Sequence, residues 1–488
     1  MRVGVIGCGA AGTSVLDALV RTHDGRRPIE VTVFEADKQF GAGRAYQADS
    51  EAALVNQPAR HMSLRSDQPD HFLRWLDEQK FVRPDDPDFY VARSLFGRYL
   101  EDSFRRTALD GVDRNIRTLT CGRRVVGLRR AETEFAVRTE DGEEHEFDHV
   151  FLCTGSSEPV DVYNLSGNPG FVPDPYPLRS VVAGIDTDSA VTVLGTGLSA
   201  VDVVLELARR GHRGQMRMVS RGGLLPGVRN PAVSVPTLVA TPAAIREVAA
   251  ADGSLTVAGI GSLIAQELEA QGLSPSEVLR ECQVHADPHE RLRNHLAAAE
   301  RGERWQAVLA QITGASQIED TWALFDDDAR RESQRDWHAI AVSLWSPMPM
   351  ASARTLLSLV DAGRLEILRG VDGVAAADHG GFSVEFAEAD GHQADVVVNT
   401  IRPQSAATPR RAAELFESLV RNGLAVPHLF GGLRVDFATN RLVAPDGRPV
   451  PHVYALGQPA VGELHAATSN LSMIARRAQQ TVHALLSS

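Results

Sequence analysis

Val3-Gly4-Val5-Ile6-Gly7-Cys8-Gly9-Ala10-Ala11-Gly12 stands at the start of the chain and decides its fold. The first four residues are short, largely apolar and mostly β-branched, which predicts a buried strand. The glycines follow the spacing G-x-G-x-x-G, and apolar residues then recur at helical spacing through Val15, Leu16, Leu19 and Val20. A second buried-strand signal, Val31-Thr32-Val33-Phe34, ends at Glu35. Strand, glycine turn, helix, strand and acid, in that order, are the context of a dinucleotide-binding unit. Each glycine has its own task. Gly7 permits the tight turn, and Gly9 lets the backbone approach a pyrophosphate. Gly12 lets the helix pack on the strand, so that Ala10 and Ala11 present its positive end to the phosphates. Glu35 then selects the nucleotide. A carboxylate there accepts hydrogen bonds from ribose hydroxyls and repels a 2′-phosphate, so the unit suits FAD or NAD and excludes NADP. An ordinary glycine-rich strand-to-helix turn is the plain alternative.

The theme returns at Val191-Thr192-Val193-Leu194. That run meets Gly195-Thr196-Gly197-Leu198-Ser199-Ala200 and a helix through Val203, Val204 and Leu207. Ala200 replaces the third glycine and still permits close packing. Arg217-Met218-Val219 is the next strand, and Ser220-Arg221 stands where Glu35 stands in the first unit. The planar fork of an arginine suits a phosphate dianion, which favours NADPH over NADH. A surface arginine without a ligand is the alternative. Two such units in one chain fit one chemistry, in which one holds a flavin and the other delivers hydride to it.

The 488 residues suggest two to four domains at about 150 residues each. Apolar content of 43% and charged content of 23% are those of a globular protein. A net charge of -13 offers no basic field for nucleic-acid phosphates. No apolar run is long enough to span a bilayer, and a strand begins at Val3 where a signal peptide would need an apolar core, so a cytoplasmic protein is expected. Cys8, Cys121, Cys153 and Cys282 form no C-x-x-C pair and no Cys/His cluster. They read as small packed residues, with no metal site and no redox pair for disulfide-reductase chemistry.

Elsewhere, residues 40–100 read as irregular and Asp148–Gly155 as a buried strand. Residues 156–178 are rich in proline and glycine and read as a linker. Residues 240–350 are mostly helical, with amphipathic spacing over Ile260–Leu273 and Leu292–Ile312. A helix over Leu356–Gly363 precedes strands at Leu365–Leu368, Phe382–Phe386 and Asp395–Thr400. A short strand at Val453–Gly457 and a helix at Met473–Leu486 close the chain. His285 and His289 bracket Asp287-Pro288, and Pro288 is expected to break any helix there and leave a solvated turn. Asp326-Asp327-Asp328 reads as a helix start. The fold class is α/β, with two Rossmann-like dinucleotide-binding domains and a helical insertion. The expected domains are 1–178 (FAD-binding, first part), 179–390 (NAD(P)H-binding, with the insertion at about 240–350) and 391–488 (FAD-binding, second part).

Further motifs carry a resemblance. They are Phe40-Gly41-Ala42-Gly43-Arg44-Ala45-Tyr46, Leu54-Val55-Asn56-Gln57-Pro58-Ala59 with Met62-Ser63, Phe72–Leu76 and Arg93–Leu100. Thr154-Gly155, Gly195–Asp202, Ala455-Leu456-Gly457 and the helix around Arg476 complete the set. With the two glycine turns and Glu35, the chain resembles the bacterial FAD/NAD(P)-binding flavoproteins with two dinucleotide-binding domains, related to flavin monooxygenases that hydroxylate amines. The resemblance implies that Arg44 and residues 54–65 lie along the FAD, and that Asn56 and Met62 approach its isoalloxazine. It implies that Gly457 ends the last strand near the flavin, and His465 is a candidate active-site group close behind. Three stretches depart from it. Gln458 follows Gly457 where many relatives carry an acid, no glycine follows Thr400, and Leu344-Trp345-Ser346-Pro347 replaces a His/Arg-rich patch. The Baeyer–Villiger fingerprint is absent.

The reading drawn from this is an FAD-dependent, NADPH-using monooxygenase. Its expected substrates are O2 and an amine or amino acid, whose nitrogen it hydroxylates through a flavin C4a-(hydro)peroxide. The flavin carries that chemistry, so no catalytic triad is required of the protein. An NAD(P)H-dependent flavin dehydrogenase or reductase without oxygen transfer, and a non-catalytic FAD-binding protein, stay open beside it. So does homo-oligomerisation.

Overall fold

In the computed structural model, which describes residues 1–86, 88–132, 134–156, 158–229, 235–282, 287–312, 315–402 and 410–487, the strand Arg2–Ile6 is flanked on both sides. It pairs in parallel with Ile29–Phe34 and with His149–Leu152. Val3, Val5, Val31 and Val33 are fully buried, which is what a parallel strand covered on both faces requires. The chain forms two units. The first comprises Met1–Ala48, Gln57–Glu158 and Pro403–Ser488, and the second comprises Asp49–Asn56 and Pro159–Arg402.

The first unit carries a six-stranded sheet in the order Arg441–Val443, Pro449–Ala455, His149–Leu152, Arg2–Ile6, Ile29–Phe34, Ile116–Cys121. Only the edge strand Arg441–Val443 runs antiparallel to its neighbour. Helices Ala10–Thr22 and Leu471–Ser487 cover the sheet, and Val15, Leu16, Leu19, Ala478 and Val482 join Val3, Val5 and Val33 in one core.

The second unit carries five parallel strands in the order Leu365–Arg369, Met216–Ser220, Val191–Leu194, Val396–Asn399, Phe171–Val172. The two units repeat one plan. Each inserts a three-stranded antiparallel sheet before the strand that returns beside the first: Val125–Phe147 in one, Val371–Ala394 in the other. The registers match as well. Ile6 lies opposite Phe34 and Leu152, and Leu194 opposite Val219 and Asn399. Gly7 N donates to Phe34 O at 2.9 Å, and Gly195 N to Val219 O at 2.8 Å. Glu35 and Ser220 therefore hold the same register.

The structure corrects several expectations. Residues 40–100 contain two helices, His71–Glu78 and Arg93–Asp110. Their scattered aromatics converge: the rings of Phe72, Phe96 and Tyr99 stand 4.9–5.1 Å apart and are fully buried. Pro288 opens the helix Pro288–Glu300 instead of breaking it, because a first-turn residue has no intrahelical N–H to lose. His289 is on that helix and not in a solvated turn; its Nε2 accepts from Ile367 N at 3.0 Å. His285 lies outside the described residues. The stretch Leu292–Ile312 is two helices, Pro288–Glu300 and Arg304–Ile312, parted by Gly302 at φ 68°. Residues 159–178 fall within the second unit, where Phe171–Val172 adds an edge strand. Asp326 caps the helix Asp327–Glu332, as its acidic run predicts.

Buried carboxylates fix the second unit where apolar packing alone would not. In the insertion, Glu267 on helix Val257–Ala270 accepts from the backbone of Leu238, Val239 and Ala240. Glu206 on helix Leu198–Arg209 is fully buried and accepts from Arg209 at 2.7 and 2.8 Å, from Arg210 at 2.7 Å, and from Ser50 Oγ. Burial pushes its carboxyl up, but the bonds from Arg209, Ser50 and Arg210 outweigh burial and bring it from 4.5 down to about 2. A group depressed in the folded state stabilises fully above its unfolded pKa and loses that stabilisation as pH falls through the folded value. Glu206→Gln should therefore flatten the acid-unfolding curve between pH 4.5 and 2 and cost on the order of 2 kcal/mol at neutral pH. Circular dichroism against pH checks this; superimposable curves for the two proteins would contradict it.

Candidate nucleotide-binding sites

At the first glycine turn, backbone contact requires the first and third glycines. Gly7 has φ 96°, and a Cβ there would lie 2.3 Å from Cys153 O. A Cβ on Gly12 would lie 2.1 Å from Gly7 O, so no other residue lets the helix come this close. Gly43, at φ 56°, meets Gly9 face to face: a Cβ on it would lie 2.8 Å from Gly9 Cα. Gly41 N donates to Cys8 O at 2.8 Å and clips the two stretches together. Gly9 caps the helix without a side chain, and Gly9, Ala10 and Ala11 are only half-buried. First-turn N–H groups in that state suit an anion at the positive end of the helix.

Glu35 stands at the carboxyl end of Ile29–Phe34. Its Oε2 accepts from Cys8 N at 2.9 Å and its Oε1 from Asp37 N at 3.3 Å. Burial raises the carboxyl's pKa, and the two amide bonds oppose the rise. Each oxygen keeps a lone pair for a ribose hydroxyl. Thr154, Gly155 and Gly457 follow the ends of two neighbouring strands. Thr154 Oγ1 is buried with no hydrogen-bond partner among the described residues. Gly155, at φ 74°, has open space where a Cβ would be, and Gly457, at φ 72°, would place one 3.6 Å from Ala11 Cβ. Arg44 opens the short turn Arg44–Tyr46 directly after Gly43.

The other candidates lie on separate elements. Met62 is 4% exposed and closes the turn Ala59–His61. Asn56 belongs to the second unit, where its carbonyl accepts from Arg229 at 3.1 Å. His465 has φ 47°, and its carbonyl accepts from Thr468 Oγ1 at 2.8 Å. Two supports escaped sequence reasoning. Asp17, buried on the helix after the glycine turn, holds Arg65 at 2.7 and 3.0 Å and so pins the loop after Met62. An acid on an apolar helix face was its signal. His428 accepts from Phe430 N at 3.0 Å through Nδ1 and faces Glu463 at 3.3 Å through Nε2, beside the turn after Gly457. No spacing rule joins residues that far apart.

The second turn repeats the frame with different chemistry. Gly195 has φ 117°, and a Cβ would lie 2.5 Å from Thr400 Oγ1, which donates to Leu194 O at 2.7 Å. Gly197 caps helix Leu198–Arg209 without a side chain and has open space at its Cβ position. Leu198 and Ser199 are half-buried, and Ala200 is buried. Ser220 Oγ accepts from Gly223 N at 2.9 Å and lies 3.0 Å from Thr196 Oγ1, which donates to Leu224 O at 2.8 Å. Its hydroxyl thus holds the loop, while Arg221 beside it is exposed. Both turns fit a dinucleotide: Gly7, Gly12 and Gly195 stand where a Cβ would clash, Gly197 leaves its Cβ position open, and in the first unit Thr154 Oγ1 is a buried polar atom with no partner among the described residues.

Residues 4–157 match an FAD-NAD(P)-binding family. No curated protein matches the chain. Among solved structures, an ornithine hydroxylase from Pseudomonas aeruginosa is 14% identical with a TM-score of 0.59, over 100% of this chain and 98% of its own. The ornithine N-hydroxylase of Kutzneria sp. 744, with reduced FAD, NADP+ and L-ornithine, is 17% identical with a TM-score of 0.56, over 99% and 98%. A cadaverine monooxygenase from Erwinia amylovora, bound to FAD, is 14% identical with a TM-score of 0.57, over 99% and 93%. The chain thus has the fold of flavoproteins with two dinucleotide-binding domains. Among the described residues no helix is long and apolar enough to cross a membrane, and no group of three or more His, Cys, Asp or Glu could hold a metal. Cys8, Cys153 and Cys282 are buried and all four thiols are free.

Gly43→Ala tests the first cradle. The added Cβ would press on Gly9 and strain a left-handed backbone, so the purified variant should fold but carry far less flavin per chain. Flavin absorbance against protein mass reads this out; a full complement of flavin would contradict the geometry.

Proposed function

We propose that this chain is an FAD- and NADPH-dependent monooxygenase that hydroxylates a primary amine nitrogen. One observation carries the reading: two cradles of one plan in one chain, differing in charge at the ribose register. The first ends in Glu35 and suits the unmodified ribose of FAD. The second replaces that acid with Ser220 and sets the exposed Arg221 beside it, which suits a 2′-phosphate. Ornithine and cadaverine, named for the proteins that share this fold, are both compounds with terminal primary amines.

In this reading Gly7, Gly9, Ala10, Ala11 and Gly12 seat the FAD pyrophosphate and Glu35 holds its ribose. Arg44, Thr154, Gly155 and Gly457 line the rest of its length. Asn56, Met62 and His465 are assigned to its reacting end. Gly195, Gly197, Leu198, Ser199 and Ala200 seat the NADPH pyrophosphate, and Arg221 takes its 2′-phosphate. The FAD domain comprises the first and last parts of the chain, and the NADPH domain the middle with its helical insertion. When bound, FAD accepts hydride from NADPH and activates oxygen. Overall, amine, O2, NADPH and a proton give hydroxylamine, NADP+ and water. The chain has to seat both nucleotides, exclude bulk water and present the amine unprotonated.

Steady-state turnover with NADPH and a panel of diamines and diamino acids tests the reading. The expected result is one hydroxylamine formed per NADPH oxidised with the true substrate, and little hydrogen peroxide. NADPH oxidation that yields only peroxide across the panel would replace this reading with a flavin reductase.

A further inference from the structure

The two ribose registers differ on the neighbouring strand as well. In the first unit Phe34 pairs with Cys121, so Gly122 comes next to Glu35. In the second unit Val219 pairs with Leu368, and Ser220 pairs with Arg369. The bonds from Gly7 N to Phe34 O and from Gly195 N to Val219 O fix the equivalence. Glu35 corresponds to Ser220, and Gly122 to Arg369. An acid beside a glycine in one unit is a serine beside an arginine in the other.

Side-chain packing follows the exchange. A Cβ on Gly122 would meet Lys38 Cγ at 2.8 Å, and a Cβ on Gly223 would meet Arg369 Cβ at 2.9 Å. In the first unit the stem of Lys38, from the loop after the second strand, crosses its glycine; in the second the base of Arg369, on the third strand, and Pro288 Cγ at 2.8 Å flank theirs. In the first unit Lys38 has Glu35 and Asp37 close by in sequence, and Arg411 pairs with Asp37. In the second unit Arg221 and Arg369 are both exposed at the register, and neither Ser220 nor Gly222 adds an acid. Their backbones are held together, because Gly370 N donates to both Ser220 O and Arg221 O at 3.0 Å.

We propose that Arg369 is a second ligand for the 2′-phosphate of NADPH and, with Arg221, sets the preference for NADP(H) over NAD(H). The proposal rests on reading the second unit as the NADPH site. A phosphate dianion presents three oxygens, of which one guanidinium fork takes two. A second guanidinium from the adjacent strand engages the remaining edge. NAD(H) offers only a hydroxyl there and gains little from a second cation.

Isothermal titration calorimetry of the flavin-loaded protein with NADP+, NAD+ and 2′,5′-ADP tests it. Arg369→Gln should weaken NADP+ and 2′,5′-ADP about tenfold or more and leave NAD+ unchanged. Arg369→Lys should keep the charge without the fork and recover part of the loss. Equal weakening of NADP+ and NAD+, or no change in either, overturns the role of Arg369. A wild-type protein that binds NAD+ as tightly as NADP+ overturns the NADPH reading and this proposal together. A wild-type preference for NADP+ that is undiminished in Arg369→Gln overturns the proposal alone.

Discussion

A Cβ on Gly12 would sit 2.1 Å from the carbonyl oxygen of Gly7. That contact fixes how closely helix Ala10–Thr22 packs on strand Arg2–Ile6, and so where the helix aims its free N–H groups. The opposing loop meets the same limit, since Gly43 and Gly9 touch backbone to backbone. Parallel strands on either side supply the residues that close the cradle from their carboxyl ends, Glu35 from one and Thr154 and Gly155 from the other. An anion site built this way costs no side-chain charge. In the proposed reading its selectivity rests on the single acid at the end of the second strand.

The second unit shows how little must change to redirect that frame. The sheet order, the inserted antiparallel sheet and the turn hydrogen bonds recur. Thr400 Oγ1 takes the space beside Gly195 that backbone takes beside Gly7. The ribose register exchanges an acid for a neutral hydroxyl that is spent on holding its own loop. Positive charge then comes from Arg221 and from the adjacent strand. The two units share one scaffold and differ in a handful of polar residues at the register.

Much of this is legible in the sequence. The strands at Val3, Val31 and Val191 stand out because buried parallel strands are largely apolar runs, ended here by a glycine or by Glu35. The antiparallel sheet over Val125–Phe147 leaves no such mark, since its strands are short and charged residues interrupt their apolar runs. The helices at His71–Glu78 and Arg93–Asp110 were hidden because aromatics spaced for a shared cluster look irregular one window at a time. Phe171–Val172 is too short for any periodicity. Pro288 reads as a breaker in isolation, yet proline breaks a helix only beyond its first turn. At the sites, Gly7 to Glu35 and Gly195 to Arg221 were legible because a motif fixes their spacing. Gly43 against Gly9, Arg65 on Asp17, and Arg369 beside Ser220 depend on tertiary contact and register, which no local pattern carries.

The central claim is that one chain seats two different dinucleotides, one in each unit. Native mass spectrometry of the purified protein, before and after addition of NADP+, measures that directly. One FAD per chain, joined by one NADP+ without loss of the FAD, is the expected result. Displacement of FAD by NADP+, or a chain that holds a single nucleotide whatever is added, would contradict it.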